Sequence, residues 1–158
     1  MKKILAALLC AALLFALAAC SGGSGNGKTT DTGSDTKGGD NKKNIKIGVI
    51  LIGDENEGYT YAHIEGIKEA MKENNISEDQ VVWKYNIPEN EQCKETAEDL
   101  AEQGCTAIFS NSYNHQTYMQ QVAGEPGYED ITFVSATGDT AANSGLKNFK
   151  NCFTKVYE

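Results

Sequence analysis

Eight residues, IKIGVILI at Ile45–Ile52, constrain the fold more than any other stretch. The run is apolar and rich in β-branched side chains without strict alternation, the pattern of a strand covered on both faces, as parallel strands are. YTYAHIEGIKEAMKENN follows, with Ile64, Ile67 and Met71 at helical spacing and an asparagine pair to close it. QVVWKYN (Gln80–Asn86) reads as a second strand. Pro88 is expected to open a helix through Gln103 that turns Cys93, Ala97, Leu100 and Ala101 inward and stops at Gly104. TAIFS (Thr106–Ser110) reads as a third strand, followed by a helix from about Tyr113 to Ala123. ITFVSA (Ile131–Ala136) and NFKNCFTKV (Asn148–Val156) read as the fourth and fifth strands. Strands alternating with helices predict an α/β fold: one open parallel sheet with helices on both faces.

The chain ahead of this layer has a different character. Lys2 and Lys3 precede an apolar run, Ile4–Ala19, too short to span a bilayer comfortably. It ends in Leu17-Ala18-Ala19-Cys20, small residues directly before a cysteine, which resembles the bacterial lipoprotein signal. The resemblance implies cleavage after residue 19 and lipid on Cys20, with acyl chains such as palmitate holding the protein on the extracytoplasmic face of the cell membrane. Ser21–Lys43 holds seven glycines and no apolar side chain larger than a methyl, so it is expected to stay a coil. Its reach is roughly 25–30 Å. The predicted organisation is a signal peptide over 1–19, a lipidated cysteine and flexible linker over 20–43, and a folded layer over 44–158. In this plan a fifth strand is followed by a covering helix, so 44–158 is expected to be an incomplete N-terminal lobe.

Charge narrows the choice of ligand. The formal net charge is −8, and the chain has no arginine. Arginine is the usual fork for phosphate and carboxylate, and nucleic acid requires basic patches. Nucleic-acid binding is therefore excluded, and an anionic small ligand is disfavoured. Beyond Cys20 three cysteines remain, Cys93, Cys105 and Cys152, with no metal-ligand spacing among them. A helix between the first two separates them by about 16 Å, too far for a disulfide. All three are expected to be small buried apolar residues, and neither a metal nor a cofactor is implied.

In such a sheet ligands sit beyond the carboxyl ends of the strands, where strand order reverses. Three loops qualify: GDENEGYT (Gly53–Thr60), SNSYNHQT (Ser110–Thr117) and ATGDTAANS (Ala136–Ser144). None carries a dinucleotide fingerprint, a Walker loop or a nucleophile elbow. The acids Asp54, Glu55 and Glu57 suit the positive end of the first helix. His63 is expected to be a partly buried helix residue, whereas His115 stands between ligand contact and helix-start cap. What the loops share is aromatic and neutral polar chemistry. The candidate ligand-binding residues are Asn56, Tyr59, Thr60, Ser110, Asn111, Tyr113 and His115. Two tyrosines on adjoining loops can stack a flat or ring-shaped ligand while a few polar groups fix its edge.

With these residues in view, Ile45–Glu158 resembles the basic membrane protein family of substrate-binding lipoproteins. The stretches that carry the resemblance are IGVILIGDENEGYTYAHIEGIKEAM, EQGCTAIFSNSYNHQTYM and NFKNCFTKVYE. It implies the first lobe of a periplasmic-binding-protein type I-like clamshell, serving an ABC permease and ATPase, with a nucleoside as the expected small neutral solute. In the family an aspartate and an aromatic of the first loop contact the ligand; here those positions fall on Asn56 and Tyr59. The Gly-rich turn ending in Phe that follows the third strand reads Ser110-Asn111-Ser112-Tyr113. No catalysis is expected. The alternative, from another class, is a ligand-sensing lipoprotein domain signalling to a membrane receptor kinase. A surface hydrolase that depends on His115 stands third.

Overall fold

A computed structural model describes residues 45–153, all within the compact unit Lys37–Glu158. The predicted signal peptide, Cys20, the predicted linker and the tail of the fifth predicted strand lie outside the described residues.

The elements alternate as expected: β1 (Ile47–Ile50), α1 (Gly58–Asn74), a 3₁₀ turn (Glu78–Gln80), β2 (Val81–Lys84), α2 (Glu91–Glu102), β3 (Ala107–Ser110), α3 (His115–Ala123), β4 (Thr132–Ala136), α4 (Ala141–Ser144) and β5 (Phe149–Cys152). All strand pairs are parallel, in the order β2-β1-β3-β4-β5. The chain leaves β1 towards one edge and returns past it to β3. Right-handed crossovers in opposite directions place α1 on one face and α2 and α3 on the other.

Two cores follow from that arrangement. Under α2 and α3 lie Ile50, Leu100, Ile108, Met119, Val122, Phe133 and Phe149, with Cys93 and Ala97 as predicted. Under α1 lie Val49, Leu51, Ile64, Met71 and Val81. Gly48 lets α2 approach β1: a Cβ there would sit 2.8 Å from Leu100 Cδ1. The helix stops are those the sequence predicts. Asn75 closes α1 at φ 55, and Gly104 follows α2 at φ +84, both in the left-handed region that asparagine and glycine enter most cheaply.

Several expectations need correction. Pro88 does not open α2; Asn90 does, its side chain accepting from Gln92 N at 2.9 Å. Tyr113 and Asn114 form a turn ahead of α3, with Gln116 N donating to Tyr113 O at 3.3 Å. The loop after β4 contains the short α4. Cys93 and Cys105 are buried, but Cys152 is exposed. Side chains alternate along a strand. Because Phe149 faces the α2/α3 core, Cys152 points to the α1 face, three strands beyond β1, where among the described residues no helix covers it. Phe153 beside it is 65% exposed.

Candidate functional site

Parallel register brings the loops after β1, β3 and β4 to one edge, since Ile50 pairs with Ser110 and Ser110 with Ser135. The strand order reverses between β1 and β3. Over this point lies an open hollow of about 640 Å³, with Ile52 and Gly53 at its base and Glu57, Tyr59, Glu89, Ser112, Tyr113 and Thr137 around it. Tyr59 and Tyr113 thus share one site, at 43% and 47% exposure.

The first loop is built around two carboxylates. Asp54 Oδ1 accepts from Asn56 N at 2.9 Å and from Asn56 Nδ2 at 3.0 Å. Glu57 caps α1, taking Tyr59 N at 2.8 Å on Oε1 and Thr60 N at 2.7 Å on Oε2. The Thr60 and Tyr59 amides hold Glu57 below its usual range, and the Asn56 amide does the same for Asp54. Glu57 therefore serves the helix start, as its placement in the sequence implies, whereas Asp54 ties down the loop ahead of it through Asn56 and Asn86.

The loop after β3 is clamped from both sides. Glu89, from the β2–α2 connection, accepts from Ser112 Oγ, from Asn114 N at 3.1 Å and from Asn114 Nδ2 at 2.9 Å. The Ser112 hydroxyl and the Asn114 side chain lower its pKa. On the other side Tyr113 OH donates to Asp139, 3.1 Å from either oxygen. Gln116 fixes Asp139 in turn: its Oε1 takes the amides of Asp139 and Thr140 at 2.7 and 3.0 Å, and its Nε2 reaches Asp139 Oδ1 at 3.2 Å. Gly138 makes room for these side chains: a Cβ would lie 2.3 Å from Asn151 Nδ2 and 2.6 Å from Gln116 Oε1, so one or both would have to shift. Next to it Thr137 lines the hollow at φ 60, a strained conformation for a β-branched residue.

The structure divides the seven sequence candidates into walls and supports. Tyr59 and Tyr113 line the hollow; the other five do not. Asn56 is exposed but tied to Asp54. Thr60, Ser110, Asn111 and His115 are fully buried. Asn111 Oδ1 accepts from Ile52 N at 2.9 Å, its Nδ2 lies 3.4 Å from Thr60 Oγ1, and its carbonyl takes the Tyr59 hydroxyl. Ser110 Oγ faces Ser135 Oγ at 3.3 Å. His115 is neither cap nor rim residue: it packs in the core with Nε2 at 3.0 Å from the Ile87 carbonyl. A carbonyl only accepts, so Nε2 carries the proton and Nδ1 is left without a partner. Burial lowers the pKa of His115, and also that of His63, which sits half-buried with its ring 4.7 Å from that of Tyr59. Sequence reasoning missed Glu89 and Thr137 as lining residues of the hollow, and it missed Gln116 and Asp139 as supports. The contacts of Glu89, Gln116 and Asp139 join residues 23 to 26 positions apart, which no local pattern announces.

No protein-family model matches the chain, and neither does any curated protein sequence. Solved structures do. A solute-binding protein of an ABC transporter system from Conexibacter woesei superposes with a TM-score of 0.58 at 18% identity, over 69% of this chain and 35% of its own. A transcriptional activator of the comK gene from Bacillus halodurans superposes with a TM-score of 0.52 at 18% identity, over 67% of this chain and 33% of its own. The chain thus spans about a third of the length of each, and the likeness establishes a shared open α/β fold.

Proposed function

We propose that the chain is the solute-binding component of an ABC importer, held on the extracytoplasmic face of the cell membrane by lipid on Cys20. A small neutral solute, with a nucleoside as the leading candidate, occupies the hollow without being transformed. The observation that carries the reading is the joint placement of Tyr59 and Tyr113 over the strand-order reversal, on a fold shared with an ABC solute-binding protein. Tyr59 and Tyr113 stack the flat face of the solute, while Thr60, Ser110, Asn111 and His115 hold those walls from below. Binding that favours a closed arrangement over the ligand would present it to a permease and its ATPase.

Titration calorimetry of the full chain against nucleosides tests the ligand. Heat that saturates, and that falls when Tyr59 and Tyr113 are both replaced by alanine, supports the reading; no heat with any nucleoside removes that ligand class. Labelled palmitate should enter the wild-type chain and not Cys20→Ala. Incorporation into the variant would remove the anchor.

A further inference from the structure

A hydroxyl has one proton and two lone pairs, so one that donates to the protein has only lone pairs left for a ligand. Four hydroxyls line the hollow, and all four are in that condition. Tyr59 donates to the Asn111 carbonyl and Ser112 to the Glu89 carboxylate. Tyr113 donates to the Asp139 carboxylate at 3.1 Å, and Thr137 to the Ala136 carbonyl at 2.6 Å. Carbonyls and carboxylates accept and never donate, so no one of these bonds can reverse its direction. Turning a proton outward would strand its partner, and for Tyr59 that partner belongs to a fully buried residue.

The remaining polar side chains of the hollow are Glu57 and Glu89, both carboxylates held below their usual range by protein donors. No lysine lines it. We propose that this surface, whose side chains offer only acceptors, selects a solute that turns hydrogen-bond donors, hydroxyl or amino groups, towards this edge of the sheet, and that it rejects anions. The inference rests on the solute-binding reading and adds which chemistry the ligand presents here. A ligand acceptor in that position would lose water and meet only lone pairs, which leaves it unpaired. A phosphate would in addition face two carboxylates.

The test is a titration of the full chain followed by NMR, reading the resonances of Tyr59, Ser112, Tyr113 and Thr137, so that millimolar binding is still visible. Four probes are compared: adenosine, purine riboside (which lacks the 6-amino group), 2′,3′-dideoxyadenosine (which lacks both ring hydroxyls) and adenosine 5′-monophosphate. The expected result is that adenosine shifts these resonances, that the monophosphate binds about tenfold more weakly, and that at least one donor-deleted analogue does too. Equal affinity across the set, or tighter binding of the monophosphate, overturns donor selection and leaves the solute-binding reading standing. If none of the four shifts these resonances, donor selection falls together with the nucleoside assignment.

Discussion

Replacing Asn111 separates a support from a ligand contact. In Asn111→Ala the Ile52 amide loses an acceptor at 2.9 Å and Thr60 Oγ1 loses a contact at 3.4 Å. The second bond is at the outer limit of geometry and adds little. An orphaned N–H at a site where water does not reach its former partner costs about 1–3 kcal/mol, and the void left by the carboxamide adds about 1 kcal/mol. The expected loss is therefore about 2–4 kcal/mol, a fall in urea midpoint of about 1–2 M, followed through the fluorescence of Trp83. Trp83 is the only tryptophan, so the signal has one source. Asn111→Asp tests the same support through pH. Its protonated form can reproduce both bonds, while its carboxylate is buried with few donors, so its folded pKa is raised above the unfolded value. The deficit relative to wild type should be small near pH 4 and grow as pH rises. An alanine variant within about 0.5 kcal/mol of wild type, or an aspartate variant whose deficit ignores pH, would refute the assignment of Asn111 as a support.

Acid should act on the wild type in two stages. His115 and His63 have folded pKa values below 6.5, so the unfolded chain binds protons first; stability is level above that pH and falls below it, for His115 by up to about 1.4 kcal/mol per pH unit. Asp54, Glu57, Glu89 and Asp99 are depressed, so a further loss sets in once pH drops below about 4.5; flat stability between pH 6.5 and 5 in urea titrations would contradict the first stage. A thiol reagent should label Cys152 at once and spare Cys93 and Cys105 until unfolding, because Cys93 is buried with its pKa pushed up to about 12; mass spectrometry of the labelled peptides decides it. Gly138→Ala should cost about 1–3 kcal/mol and abolish slow exchange of the Asp139 amide, as the new methyl displaces Gln116 or Asn151.

The framework was legible because it rests on local signals. Ile45–Ile52, the helical spacing of Ile64, Ile67 and Met71, and the stops at Asn75 and Gly104 each act within a few residues, and each appears as read. The meeting of Tyr59 and Tyr113 was legible too, since a parallel sheet delivers alternate loops to one edge. What escaped was depth. Ser110, Asn111 and His115 are polar residues next to a loop and read as rim, yet Ser110 ends β3 level with Ile50 and all three are fully buried. The reach of Glu89 to Ser112 and of Gln116 to Asp139 depends on side-chain direction in folded space, which residue order does not encode. Cys152 failed for a different reason: its burial was inferred from residue type, whereas coverage of the sheet face decided it.

Glu57 lets helix α1 begin and also borders the hollow. Retuning the site for a different solute by altering this side chain would therefore loosen the secondary structure that presents Tyr59. Thr137, whose hydroxyl bonds only its own neighbour's carbonyl, carries no such burden. Divergence among chains with this framework is accordingly expected at position 137 before position 57, and a library randomised at both should return glutamate at 57 and, because the backbone at 137 is left-handed, glycine, asparagine and aspartate there beside threonine.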